Sequence, residues 1–210
     1  MTIRRHALFD FGGPLLLSPF ELTPIGERSL GVAPGSMPMG PFDPDGDARW
    51  RAWQGGEITE RQYWAERAEP LGLEIEGYMR HFYEPSGDHL VRRETEALVA
   101  EVQAAGFKSG LLTNDLSAFH GPHWREPITV LKWFDPLVDL SHTGYLKPNP
   151  QAYTTALTAM DEPADQIVFI DDQPANVQGA VDAGMHGVWF DQTDVAGTLE
   201  RFRAALAGEG

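Results

Sequence analysis

The 210-residue sequence predicts an α/β fold: a Rossmann-like parallel sheet core with helices on both faces, plus a small helical cap domain. Three observations carry that prediction. Short, near-continuous apolar runs stop abruptly at polar residues, as strands buried on both faces of a parallel sheet do. Helical patterns with credible ends alternate with these runs, which implies right-handed crossovers. The first interval between two runs is far longer than one crossover requires.

The strands come first. Ala7-Leu8-Phe9 stops at Asp10 and a glycine turn, Gly110-Leu111-Leu112 at Thr113-Asn114, Ile167 to Ile170 at Asp171-Asp172, and Gly187 to Phe190 at Asp191. Between them, Glu94 to Ala105 places Leu98, Val99, Val102 and Ala105 on one face, with Gly106 as the stop. Asn149-Pro150 opens another helix as cap and first-turn proline, with Tyr153, Ala156, Leu157 and Met160 on one side. Pro174 and Gly184 bracket a third, and Asp194 to Leu206 carries Leu199, Phe202 and Leu206.

Roughly 80 residues separate the first strand from the helix before the second, where a crossover needs about a dozen. The surplus must form its own substructure. It opens with Gly31 to Asp47, too rich in breakers for regular structure. Ala48 to Gln54 then predicts a short helix ended by Gly55-Gly56, Thr59-Glu60-Arg61-Gln62 has capping-box spacing, and Leu73 to Tyr83 predicts a third helix. The expected division is a core of residues 1–15 and 94–210 with a helical cap over 16–93. Trp50, Trp53 and Trp64 sit at helical spacing there, as expected of a cap core rather than of substrate-stacking residues.

Composition narrows the chemistry. With no cysteine, disulfides, zinc–thiolate sites, iron–sulfur clusters and cysteine nucleophiles are excluded. Sixteen Lys and Arg against 31 Asp and Glu give a net charge of −15, which argues against a nucleic-acid groove or an anionic membrane surface. The apolar run after Arg4-Arg5-His6 is interrupted at Asp10, before it reaches the length of a signal segment. A soluble, cytoplasmic protein is the expectation.

In an open parallel sheet, ligands bind beyond the carboxyl ends of the strands. Asp10, Thr113, Asn114, Asp171 and Asp172 all follow such ends, so they converge on one crevice. Three carboxylates there repel one another unless a cation joins them, and hard oxygens with no thiol favour Mg²⁺. Lys147, just before a helix, can supply a second positive charge. Each residue also has a local reading. Asp10 could be a turn residue, Asp171-Asp172 a helix cap before Pro174, Lys147 a solvated loop lysine, and Thr113 a hydroxyl satisfying backbone. His120 and His123 lack a third ligand and are read as surface-loop residues. Phe11 either lines the pocket or packs beneath the cap.

Together, Asp10-Phe11-Gly12-Gly13, the strand ending in Thr113-Asn114, the phrase Lys147-Pro148-Asn149-Pro150, and Ile170-Asp171-Asp172 followed by Asn176 resemble the four motifs of the haloacid dehalogenase-like hydrolase superfamily. Gly56-Glu57-Ile58-Thr59 resembles a phrase common in its helical caps, so the resemblance spans essentially the whole chain. It implies that Asp10 is a nucleophile forming an aspartyl-phosphate on a small phosphorylated metabolite. It further implies that Mg²⁺ is held by Asp10, the Gly12 carbonyl and Asp172, with Asp171 acting through a water. Thr113 and the amides around Gly13 and Asn114 would bind the transferring oxygens, Lys147 would neutralise Asp10 and phosphate, and Asn176 would support them from behind.

Gly12 departs from the superfamily pattern, which usually has a second Asp there to protonate the leaving oxygen. Its loss removes general acid–base help typically worth ~10²–10⁴-fold. Pro14, where Thr or Val is usual, is a second departure. Two alternatives to the phosphatase follow from these: a hydrolase of carbon–halogen bonds, and a metal- or phosphometabolite-binding module without turnover.

Overall fold

In the computed structural model, which describes residues 2–121 and 123–209, five strands form one parallel sheet in the order β3-β2-β1-β4-β5. They are β1 (His6–Phe9), β2 (Ser109–Thr113), β3 (Leu137–Asp139), β4 (Ile167–Asp171) and β5 (His186–Trp189). Every residue of β2 and β4 is buried, which is why these strands read as unbroken apolar runs rather than as alternating ones. Successive side chains still point to opposite faces. Ala7, Phe9, Leu111, Val168 and Ile170 enter one apolar cluster, and Leu8, Leu112, Ile167 and Phe169 enter the other.

Helices cover both clusters. α5 (Arg93–Ala104) and α9 (Val195–Leu206) pack on the first face, and α7 (Pro150–Met160) and α8 (Pro174–Asp182) on the second. Asn149 Oδ1 accepts the Gln151 N–H at 2.9 Å beside Pro150, the predicted start of α7. Asp194 caps α9 through the Gly197 N–H.

The long interval after β1 holds four helices: α1 (Thr23–Leu30), α2 (Ala48–Gln54), α3 (Glu60–Ala68) and α4 (Ile75–Tyr83). Both halves of the predicted capping box at Thr59 and Gln62 are formed. The breaker-rich stretch is irregular apart from one 3₁₀ turn at Gly40–Phe42. Side chains fasten it in place of backbone ladders. Glu27 accepts the N–H groups of Gly35 and Met37, and Asp47 accepts from Trp50 N, Tyr63 Oη and Arg67 Nη2.

The two segments joining this insertion to the sheet lie side by side, with Leu16 bridged to both Gly12 and Val91. Arg92 locks them, donating to the Gly13 carbonyl and to both Glu21 oxygens. A short helix, α6 (Leu116–His120), follows β2 and packs on α4. The insertion therefore sits against the loops at the strand ends. No helix among the described residues is long and apolar enough to cross a membrane.

Candidate active site

The carboxyl ends of β1, β2 and β4 bring the sequence-predicted residues to one place. Asp10 follows β1, Thr113 ends β2, Asp171 ends β4, and all three are buried together with Lys147. Lys147 Nζ donates to Asp10 Oδ1 at 2.6 Å, to Asp171 Oδ2 at 2.7 Å and to the Leu112 carbonyl at 2.8 Å. All three ammonium protons are thereby engaged. Burial alone would lower the Lys147 ammonium, but the facing charges of Asp10 and Asp171 hold it above its ordinary value. Burial pushes the Asp10 carboxyl up, Lys147 pulls it back, and Asp171 pushes it further up.

Asn114 fixes the lysine from behind. Its amide accepts Lys147 N–H at 2.7 Å and donates to the Lys147 carbonyl at 3.2 Å. Asp171 is similarly surrounded, because its oxygens accept from Lys147, from Asn176 Nδ2 and from the Gln173 N–H. It holds the lysine in position, with no exposed edge of its own.

Asp172 is arranged differently. Gln192 Nε2 donates to its Oδ2 at 2.6 Å, and Gln173 Nε2 approaches Oδ1 at 3.3 Å. Burial, then the charges of Asp171 and Asp10, push its carboxyl well up. Oxygens of Asp10, Asp171 and Asp172 lie within 4.8 Å of one another, a set able to hold a cation. The fit to Mg²⁺ is good in kind. The oxygens are hard, two of the carboxyls are held above their ordinary range by burial and then by mutual repulsion, and a bound cation would offset both.

Gly13 is required here by its own geometry. Its φ is 84°, and a Cβ would lie 3.1 Å from Asp172 Oδ2. Its N–H donates to the Leu16 carbonyl at 2.9 Å.

Above these residues opens a cleft of about 690 Å³, counting its open mouth, lined from below by Asp10, Gly12, Thr113, Asn114, Lys147 and Asp172. The upper wall is apolar and mostly aromatic: Phe11, Phe20, Trp53, Trp64, Met79 and Tyr83. Phe11 thus both lines the cleft and packs, edge-on to His120 and Trp124. Trp53 and Trp64 belong to the packed core of the insertion and to the cleft wall at once. His120 corrects the surface-loop expectation. It stacks on Trp124 with ring centroids 3.9 Å apart, and burial lowers its imidazole to about 3, so it is a neutral piece of wall. His123 is exposed and bonds to Glu126.

Sequence reasoning missed Gln192, which connects Asp172 to Ser18 Oγ at 2.6 Å. No local motif marks it, and only the parallel order of β4 and β5 brings it to Asp172.

Comparison with known proteins agrees with this geometry. The haloacid dehalogenase-like hydrolase family matches residues 42–184. Among curated proteins, the chain is 24% identical over 199 residues to acyl-CoA dehydrogenase family member 10 of Mus musculus, covering 91% of this chain but 18% of that protein. It is 31% identical over 94 residues to bifunctional epoxide hydrolase 2 of Sus scrofa, covering 43% of this chain and 17% of that one. The chain therefore spans less than a fifth of each of these two relatives. It is 24% identical over 204 residues to sesquiterpene phosphatase astK of Aspergillus oryzae, covering 96% of both chains. Of solved structures, the putative HAD-hydrolase YfnB of Bacillus subtilis, bound to magnesium, matches with a TM-score of 0.65 at 18% identity, over 90% of this chain and 87% of that one.

Proposed function

The chain belongs to the haloacid dehalogenase-like hydrolases, and from that premise we propose that it is a Mg²⁺-dependent phosphatase acting on a small phosphorylated metabolite whose carbon portion is apolar. The observation that carries this reading is the division of the cleft. Its floor holds Asp10, Lys147 and Asp172, and its upper wall is apolar and aromatic. Among the described residues lining it, Lys147 is the one cation, which matches a single phosphoryl group. The astK relative, named as a sesquiterpene phosphatase, supports a phosphorylated hydrocarbon as substrate class.

The residues divide the work. The Asp10 carboxylate attacks phosphorus, forming an aspartyl-phosphate that water then cleaves. Lys147 holds Asp10 ionised and oriented, while Thr113 and the backbone N–H of Asn114 face the transferring oxygens. Asp10, the Gly12 carbonyl and Asp172 would hold Mg²⁺, with Asp171 kept behind Lys147. The ion, when bound, supplies charge that lets an anionic nucleophile meet an anionic phosphate. Residues 16–93 act as a cap that covers the substrate and selects its carbon portion.

The test is phosphate release from alkyl and prenyl phosphates beside sugar phosphates, with Mg²⁺ or EDTA, for wild type and Asp10→Asn. Release with Mg²⁺ alone, favouring the apolar esters and abolished in the variant, is the expected result. Halide release from a 2-haloacid that survives EDTA would favour the dehalogenase instead.

A further inference from the structure

Gly12 leaves the floor of the cleft without a side chain two residues beyond Asp10, and packing does not demand it. A Cβ at that position would meet nothing nearer than Asp10 Oδ2 at 3.9 Å. A proton for the leaving oxygen therefore has to come from another wall. His120 is neutral and stacked on Trp124. Asp115 is committed to Arg61.

Glu60 remains. It is the first residue of α3, is partly buried, and lines the same cleft as Asp10, Gly12 and Asp172. Two contacts hold it there. Trp64, one turn along α3, donates from Nε1 to Glu60 Oε1 at 3.2 Å. Arg61, the next residue, donates from Nε to Asp115 Oδ1 at 2.8 Å, which fastens the first turn of α3 to the loop after β2.

We propose that Glu60 is the general acid–base of this hydrolase, replacing from the inserted helices the carboxyl that position 12 lacks. The proposal rests on the phosphatase reading above. In the first step an Asp10 oxygen bonds to phosphorus, the bond from phosphorus to the alcohol oxygen breaks, and the Glu60 proton passes to that oxygen. A neutral alcohol leaves. In the second, Glu60 as carboxylate takes a proton from water while the water oxygen bonds to phosphorus and the phosphorus–Asp10 bond breaks. Phosphate leaves, and both carboxyl groups return to their starting states.

The environment suits that cycle. Burial first, then the charges of Asp115 and Asp10, push the Glu60 carboxyl up to about 8, against the opposing pull of the Trp64 bond and Lys147. It carries its proton at neutral pH and is poised near the range where acid–base catalysis is most effective.

The experiment compares kcat/KM for p-nitrophenyl phosphate, whose leaving group needs no proton, with that for hexyl phosphate, whose leaving group does. In Glu60→Gln the nitrophenyl-to-hexyl ratio should rise by about 10²–10⁴-fold. Adding Gly12→Asp to that variant should bring the ratio back down. A Glu60 that merely packs or supports the fold would depress both esters together, and an unchanged ratio overturns the proposal. The wild-type pH profile needs no variant: hexyl phosphate turnover should fall relative to nitrophenyl phosphate above about pH 8, the range of the Glu60 carboxyl. A flat relative profile also overturns the role. If wild type releases phosphate from neither ester, the phosphatase reading fails and this role fails with it. Release that Asp10→Asn abolishes, with an unaltered ratio in Glu60→Gln, overturns Glu60 alone.

Discussion

Lys147 Nζ lies 2.6 Å from Asp10 Oδ1, and the same ammonium is shared with Asp171 at 2.7 Å. One buried cation thus serves two buried carboxylates, so its removal strands both. Taking one partner from a buried ion pair typically costs about 3–5 kcal/mol.

Lys147→Met should accordingly lose turnover and about 3–5 kcal/mol of stability. The pH dependence follows from the Asp10 shift, which burial raises and Lys147 opposes. Without the lysine the folded-state carboxyl rises further above its unfolded value. A raised carboxyl contributes stability below its unfolded pKa, ~4, and loses it as pH rises. The variant's deficit, measured by urea unfolding in EDTA, should therefore be larger at pH 8 than at pH 5. A deficit that shrinks with rising pH contradicts the account.

Gln192→Leu should weaken activation by Mg²⁺ about 10–100-fold, the usual effect of removing a group that orients a metal-binding carboxylate. Its amide bridges Ser18 and Asp172, so its loss frees Asp172 to turn. Half-saturating Mg²⁺ in a phosphate-release assay reports the change. An unaltered value would separate Asp172 from the metal.

Asp47 is almost wholly buried, caps α2 and receives bonds from Tyr63 and Arg67. Asp47→Ala leaves Arg67 without its partner and should cost about 3–5 kcal/mol. Denaturant unfolding checks this, with a loss below about 1 kcal/mol, the range of an exposed pair, as the contrary result.

The aromatic wall predicts a chain-length effect. Each methylene buried contributes about 0.8 kcal/mol, so kcat/KM across a linear alkyl phosphate series should rise up to about fourfold per carbon until the cleft is full. Trp53→Ala should flatten the slope, since Trp53 lines that wall. A series without slope would remove the apolar substrate class.

Much of this architecture is legible in the chain because it is written locally. The strands β1, β2 and β4 end where polar residues begin, so Asp10, Thr113 and Asp171 are placed by those ends, while Lys147 is placed by the Asn149-Pro150 start of α7. β3 escapes because it is three residues long and half-buried at the sheet edge, so it lacks an apolar run. α1 escapes because Pro24 and Gly26, within its eight residues, both have low helix propensity. Pro24 occupies the first turn, where proline is tolerated, and Gly26 lets the Phe82 ring pack where a Cβ would stand 2.4 Å away. Glu60 reads only as part of a capping box, and Gln192 reads as nothing. Their significance depends on α3 crossing the strand ends and on β5 lying beside β4, relations between distant segments that no local pattern encodes.

The most direct test of the central claim is acid-quenched single turnover of hexyl phosphate with Mg²⁺, followed by mass analysis of the peptide containing Asp10. The account predicts a phosphoryl adduct on Asp10 that forms and decays with product release, together with loss of turnover in Asp10→Asn. Phosphate release by Asp10→Asn at the wild-type rate would contradict it.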